Sequence, residues 1–133
     1  MYELGLSPKN LKYIVLTHGH IDHMGGARAL KELTGAKIFL GEADRQSASG
    51  ELDLSYAKEL GMSFCETFDP DVLINDGDVI KLGNTEIKAV ATPGHSAGAM
   101  SFFFDVYDGE RKYRAGLHGG MGINTLAGDY LDK

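Results

Sequence analysis

The sequence predicts a mixed α/β (α+β) domain with a βα front half and an antiparallel back half. Three observations carry this. Short apolar runs, rich in β-branched residues, first enclose a stretch of helical periodicity, as in a βαβ unit. Beyond Pro70 such runs follow one another directly, joined by glycine-containing turns. The length of 133 residues suffices for one domain with a modest core and not for two, so a single domain over 1–133 is expected.

Tyr13-Ile14-Val15-Leu16 reads as a buried strand that runs straight into a histidine-rich segment. After Gly25-Gly26, the residues Ala27, Leu30 and Leu33 recur at helical spacing, and Gly35 supplies a C-terminal stop. Lys37-Ile38-Phe39-Leu40 is the next strand, and strand–helix–strand order favours parallel pairing. Residues 41–51 read as a polar loop, followed by a second helix from about Leu52 to Leu60 that ends at Gly61. Val79 to Leu82 and Thr85 to Val90 are strands joined by Gly83-Asn84, a dipeptide suited to a two-residue hairpin. A second hairpin runs from Met100 to Val106, turns at Asp108-Gly109 and returns over Arg111 to Ala115.

Composition narrows the function classes. A formal net charge of −6 with scattered Lys and Arg disfavours nucleic acid as a partner, since phosphate binding relies on clustered basic residues. No apolar stretch approaches the ~20 residues needed to cross a bilayer, so no membrane span is expected. The N-terminal residues lack a basic segment followed by an apolar one, the pattern of a secretory signal. The single Cys65 cannot form an internal disulfide and reads as a small packed thiol, which fits a reducing cytoplasm.

Chemistry concentrates in the histidines. Three of five lie in His18-Gly19-His20-Ile21-Asp22-His23, and a fourth in Thr92-Pro93-Gly94-His95-Ser96. Imidazole nitrogen and carboxylate oxygen suit zinc and comparable divalent metals. Side chains alternate along an extended segment, so His18 and His20 point the same way, while Asp22 and His23 follow where the chain turns towards the helix. Four ligands in six residues crowd one tetrahedral ion; dividing them between two relieves this, with His18, His20 and His95 at one metal and Asp22 and His23 beginning another. Asp22, beside the reacting water, is the natural proton carrier. Many of the 18 glycines flank histidines, where close approach or positive φ is needed.

Two blocks carry a family resemblance. Thr17-His18-Gly19-His20-Ile21-Asp22-His23-Met24-Gly25-Gly26 resembles the His-x-His-x-Asp-His signature of the metallo-β-lactamase superfamily. Asp76-Gly77-Asp78-Val79-Ile80-Lys81-Leu82-Gly83, leading to Thr92-Pro93-Gly94-His95-Ser96-Ala97-Gly98, resembles that family's next block. The resemblance implies an αββα sandwich with the metals at one edge, His18, His20 and His95 on the first and Asp22 and His23 on the second. The family's di-iron branch places a Glu where His20 stands, which points here to zinc. The implied activity is a hydrolase directing zinc-bound hydroxide at an ester, thioester, lactone or β-lactam-type amide of a small-molecule substrate, with one or two zinc ions. The alternatives are a mononuclear iron oxidoreductase of the sulfur dioxygenase type and an inactive metal-binding fragment.

The chain also departs from the family's pattern. Tyr113 to Gly122 holds neither the bridging Asp nor the Cys usual there, which is closer to the lactamase subclass lacking that Cys. Neither the opening strands before the first motif nor the final downstream His is present, so an incomplete sandwich, the middle of a longer domain, is expected. Its exposed sheet edge would favour homo-oligomers. His118, in His118-Gly119-Gly120, remains a loop residue, a substrate-cleft residue or a ligand of the second metal.

Overall fold

The computed structural model describes residues 2–122 of the chain; residues 123–133 of the expected single domain lie outside them. Strand β1 (Tyr13–Val15) is followed by a single helical turn, α1 (Ile21–Met24), then by α2 (Ala27–Thr34) and β2 (Lys37–Gly41). β1 and β2 pair in parallel with Ile14 opposite Ile38, as a βαβ unit requires. α2 ends where the glycine signal placed its stop: Gly35 takes φ 73° and its N–H caps the Lys31 carbonyl. Of the three apolar positions read on that helix, only Ala27 is buried, and Leu30 and Leu33 face solvent.

The helix expected over Leu52 to Leu60 is not formed, and one lies instead in the segment read as a polar loop: α3, Arg45–Ser49. The reason is local. Leu52, Leu54 and Leu60 are exposed and so gain nothing from a helical face, while Tyr56 sits at φ 63°, which interrupts any helix. A short strand that was not anticipated, β3 (Val72–Ile74), pairs in parallel with β2 and completes a three-stranded sheet ordered β1-β2-β3.

The back half is the expected meander: β4 (Val79–Leu82), β5 (Thr85–Ala91), β6 (Met100–Asp108) and β7 (Arg111–Leu117), antiparallel throughout. Leu82 pairs with Thr85, leaving Gly83-Asn84 as a two-residue turn with Gly83 at φ 60°.

Two clusters form the core. Leu16, Ile38 and Leu40 meet Met24, Ala27 and Ala48 from the three α-helices, with Cys65 packed at the edge as a half-buried thiol. Phe39 and Ile74 of the first sheet meet Ile80, Ala89, Met100 and Phe102 of the second. Alternate residues of β2 therefore face helices on one side and the second sheet on the other. The described residues thus build the helix–sheet–sheet part of the expected αββα arrangement: α1 to α3 supply the helix layer on the first sheet, and among the described residues no helix covers the outer face of the second. No helix among the described residues is long and apolar enough to cross a membrane.

Beyond the core, the β6–β7 hairpin carries Val106, Tyr113 and Leu117 on the same face as buried Phe102. They are 41%, 44% and 51% exposed, so the core-facing side of that hairpin outruns the sheet that covers it.

Candidate metal centre

The two histidine motifs leave different sheets and meet at one edge. The first follows β1, where Leu16 N–H still bonds to the Phe39 carbonyl and the chain then leaves the strand. The second follows β5. The seam is closed by backbone: Met100 N–H, opening β6, donates to the Thr17 carbonyl at 2.8 Å.

His95 Nε2 lies 3.1 Å from His18 Nε2 and 3.1 Å from His20 Nδ1. The three residues form a group whose ligand atoms all lie within 4.8 Å of one another. His18 is fully buried and His20 nearly so, while His95 is half-buried. A second group joins His18 to the exposed pair Asp22 and His23, whose carboxylate and Nε2 are 3.5 Å apart. The structure thus brings His18, His20 and His95 together, and Asp22 and His23 together with His18, which stands at the junction of both groups. His118 belongs to neither. It is exposed, and its Nδ1 accepts the Gly120 N–H at 2.9 Å.

Neighbouring groups decide which nitrogens remain for a ligand. His95 Nδ1 is 2.9 Å from the Gly122 carbonyl oxygen, which only accepts, so that nitrogen carries the proton and Nε2 keeps its lone pair. Thr17 Oγ1 is 3.1 Å from His18 Nδ1 and 3.2 Å from His23 Nδ1. A hydroxyl has one proton to give, so at least one of those rings donates to it and turns a bare Nε2 to the site. Burial, and then the neighbouring His23, His20 and His95, lower the His18 pKa to about 4. His20 is lowered by the same leading cause. Both rings are neutral near pH 7, the form that ligates. Bare nitrogens facing His95 Nε2 at 3.1 Å repel it unless a proton or cation lies between them. The donor set therefore suits a nitrogen-preferring divalent ion.

The segment after β7 is shaped around His95. A Cβ on Gly120 would run into the His95 ring, and one on Gly122 would lie 3.0 Å from Cε1. Glycine here is a packing requirement.

Sequence reasoning missed three contributors. Thr17 orients two rings and had only its place beside His18 as a signal. The Gly122 carbonyl is a backbone group without any side-chain signature. Asp44, buried in α3's first turn region, accepts hydrogen bonds from Gly19 N–H, Ser96 Oγ–H and Gly98 N–H at 2.7, 2.6 and 2.7 Å. It was hidden in a stretch whose polarity reads as solvent exposure.

Comparison with known proteins was consistent with this geometry. The sequence profile of the metallo-beta-lactamase superfamily matches residues 1–108. A hydroxyacylglutathione hydrolase, GloC, of Haemophilus influenzae is 34% identical over 94 residues, 70% of this chain and 44% of that protein. The subclass B3 metallo-beta-lactamase BJP-1 of Bradyrhizobium japonicum superposes with a TM-score of 0.82 at 31% identity, covering 98% of this chain and 52% of that one. A class B3 di-zinc metallo-beta-lactamase, LRA-12, from an Alaskan soil metagenome gives 0.79 at 34% identity, covering 87% and 44%. The chain spans about half the length of these proteins.

Proposed function

The chain belongs to the metallo-beta-lactamase superfamily, and on that premise we propose that it carries the metal-binding centre of a zinc-dependent hydrolase acting on an activated carbonyl. The observation that supports this most is the convergence of His18 Nε2, His20 Nδ1 and His95 Nε2, with His95 fixed in its ligating tautomer by the Gly122 carbonyl. His18, His20 and His95 would hold one zinc ion. Asp22 and His23, beside His18, would begin a second site.

A bound zinc ion supplies Lewis acidity, lowering the pKa of water towards ~7 and polarising a carbonyl oxygen. The chain's own residues do the rest. Thr17 holds the His18 and His23 rings, and Asp22, exposed at the mouth of the site, takes up and delivers the proton at its carboxylate oxygen. His118, exposed and next to the glycine segment that wraps His95, would line the substrate cleft.

The relatives named above act on thioesters of hydroxyacylglutathione type or on β-lactams, so a thioester or strained amide of a small molecule is the proposed substrate class. Metal analysis and turnover test this together. Purified protein should take up zinc near one equivalent, with a weak second equivalent, and the His18→Ala/His20→Ala double variant should lose it. Stoichiometric zinc in that variant refutes the site. Iron in place of zinc at full occupancy points to redox chemistry instead, and zinc-loaded protein that hydrolyses neither thioesters nor lactams refutes the activity.

A further inference from the structure

Asp44 belongs to neither histidine motif and touches both. The residue is 5% exposed. One oxygen accepts Gly19 N–H and Ser96 Oγ–H, and the other accepts Gly98 N–H. Gly19 separates His18 from His20, Ser96 follows His95, and Gly98 lies in the same loop. Three residues on, buried Ser47 donates its hydroxyl to the Gly19 carbonyl at 2.7 Å. Both sides of the glycine between two ligands are thus gripped from the segment that forms α3.

The approach excludes a side chain at Gly98 and leaves little room for one at Gly19. A Cβ on Gly98 would lie 2.5 Å from the Asp44 amide nitrogen and 2.7 Å from its Cγ. A Cβ on Gly19 would lie 3.1 Å from Asp44 Cβ and 3.2 Å from Ser47 Cβ. A buried carboxylate is costly to desolvate and persists only where donors satisfy it. Here three do, in short charge-assisted bonds. The chemistry also demands a carboxylate. Asparagine has one acceptor oxygen, so its NH₂ would face either the Gly98 or the Gly19 amide, donor against donor.

We propose that Asp44 is a positioning residue of the metal centre, clamping the His18-Gly19-His20 loop to the His95 loop so that their ring nitrogens converge. This rests on the reading that those histidines hold zinc. It assigns Asp44 no contact with metal or substrate. Groups that orient ligands in this way change metal affinity by roughly 10–100-fold when replaced.

The test compares zinc affinity, by competition with a chromophoric chelator, for wild type, Asp44→Asn, Ser47→Ala and Ile80→Val. Ile80, buried in the second core cluster, serves as a control for loss of stability away from the site. Thermal unfolding is recorded for each. Amide exchange at Gly19 and Gly98 is followed in metal-free protein. Asp44→Asn should bind zinc roughly 10–100-fold more weakly and should speed exchange at Gly19 or Gly98. Ser47→Ala should weaken zinc by a smaller factor, and Ile80→Val should leave affinity unchanged. Folded Asp44→Asn binding at about wild-type affinity overturns the proposal. If that variant does not fold, Ser47→Ala at wild-type affinity overturns it. Wild-type protein that binds no zinc refutes the metal reading separately, and exchange then decides: unprotected Gly19 and Gly98 amides overturn the clamp.

Discussion

His95 Nδ1 and the Gly122 carbonyl oxygen stand 2.9 Å apart, and that contact decides which nitrogen of the His95 ring the site receives. The glycines around it let the backbone come this near. Gly120→Ala should therefore push the ring aside and weaken zinc binding by roughly 10-fold or more, the lower range for disturbing a ligand's support. The same change at Gly109, in an exposed turn, should not. Chelator competition on both variants checks this.

Asp22 separates proton transfer from metal retention. Asp22→Asn keeps the size and one oxygen but removes the charge and the proton acceptor. Zinc at the His18, His20 and His95 site should remain, while any hydrolytic rate falls by ~10²-fold or more. Turnover and elemental content measured on one preparation decide it. An unchanged rate with metal intact removes Asp22 from the proton path.

Asp71 offers a test of stability away from the site. It accepts from Lys31 Nζ at 2.7 Å and from Ile38 N–H at 2.8 Å, joining α2 to the start of β2. Chiefly the Lys31 bond, and also the Ile38 amide, lower its pKa below 3.8. A carboxylate lowered on folding contributes fully above its unfolded value and is lost as pH falls through the folded one. Asp71→Asn should thus cost about 1 kcal/mol at pH 7, the net worth of a hydrogen bond. The difference from wild type should shrink below about pH 4. Urea unfolding at pH 7 and pH 3 measures both.

Val106, Tyr113 and Leu117 predict association. They share the core-facing side of the β6–β7 hairpin but are 41–51% exposed, and contiguous apolar surface of that kind seeks cover. Light scattering over a range of concentrations should show dimers or larger species, reduced by Val106→Lys. A monomer at every concentration contradicts this.

Much of the architecture was legible because it is periodic. The apolar runs at 13–16, 37–40 and 79–82 mark β1, β2 and β4, and Gly83 and Gly109 mark the turns of the two hairpins. The candidate ligand set was legible because four side chains able to bind metal, packed into six residues, have little else to do. What escaped notice has a physical cause. Leu52, Leu54 and Leu60 mimic a helical face that packs on nothing, and β3 is three residues long, too short for a period to show. Asp44 and Ser47 escaped because their partners are backbone amides and carbonyls far away in the chain.

The seam between the sheets has a consequence for how the protein is made. The pairs that close it are 54 residues apart for Asp44 and Gly98 and 77 for His18 and His95. Each sheet can form from nearer neighbours, so these closures carry the largest entropic cost and reward the chain only once the sheets dock. An ion held by both loops would bind the docked state alone and shift the balance towards it by mass action. Yield of folded protein should then follow the zinc content of the growth medium, falling under chelation during expression and recovering when zinc is restored before the cells are broken.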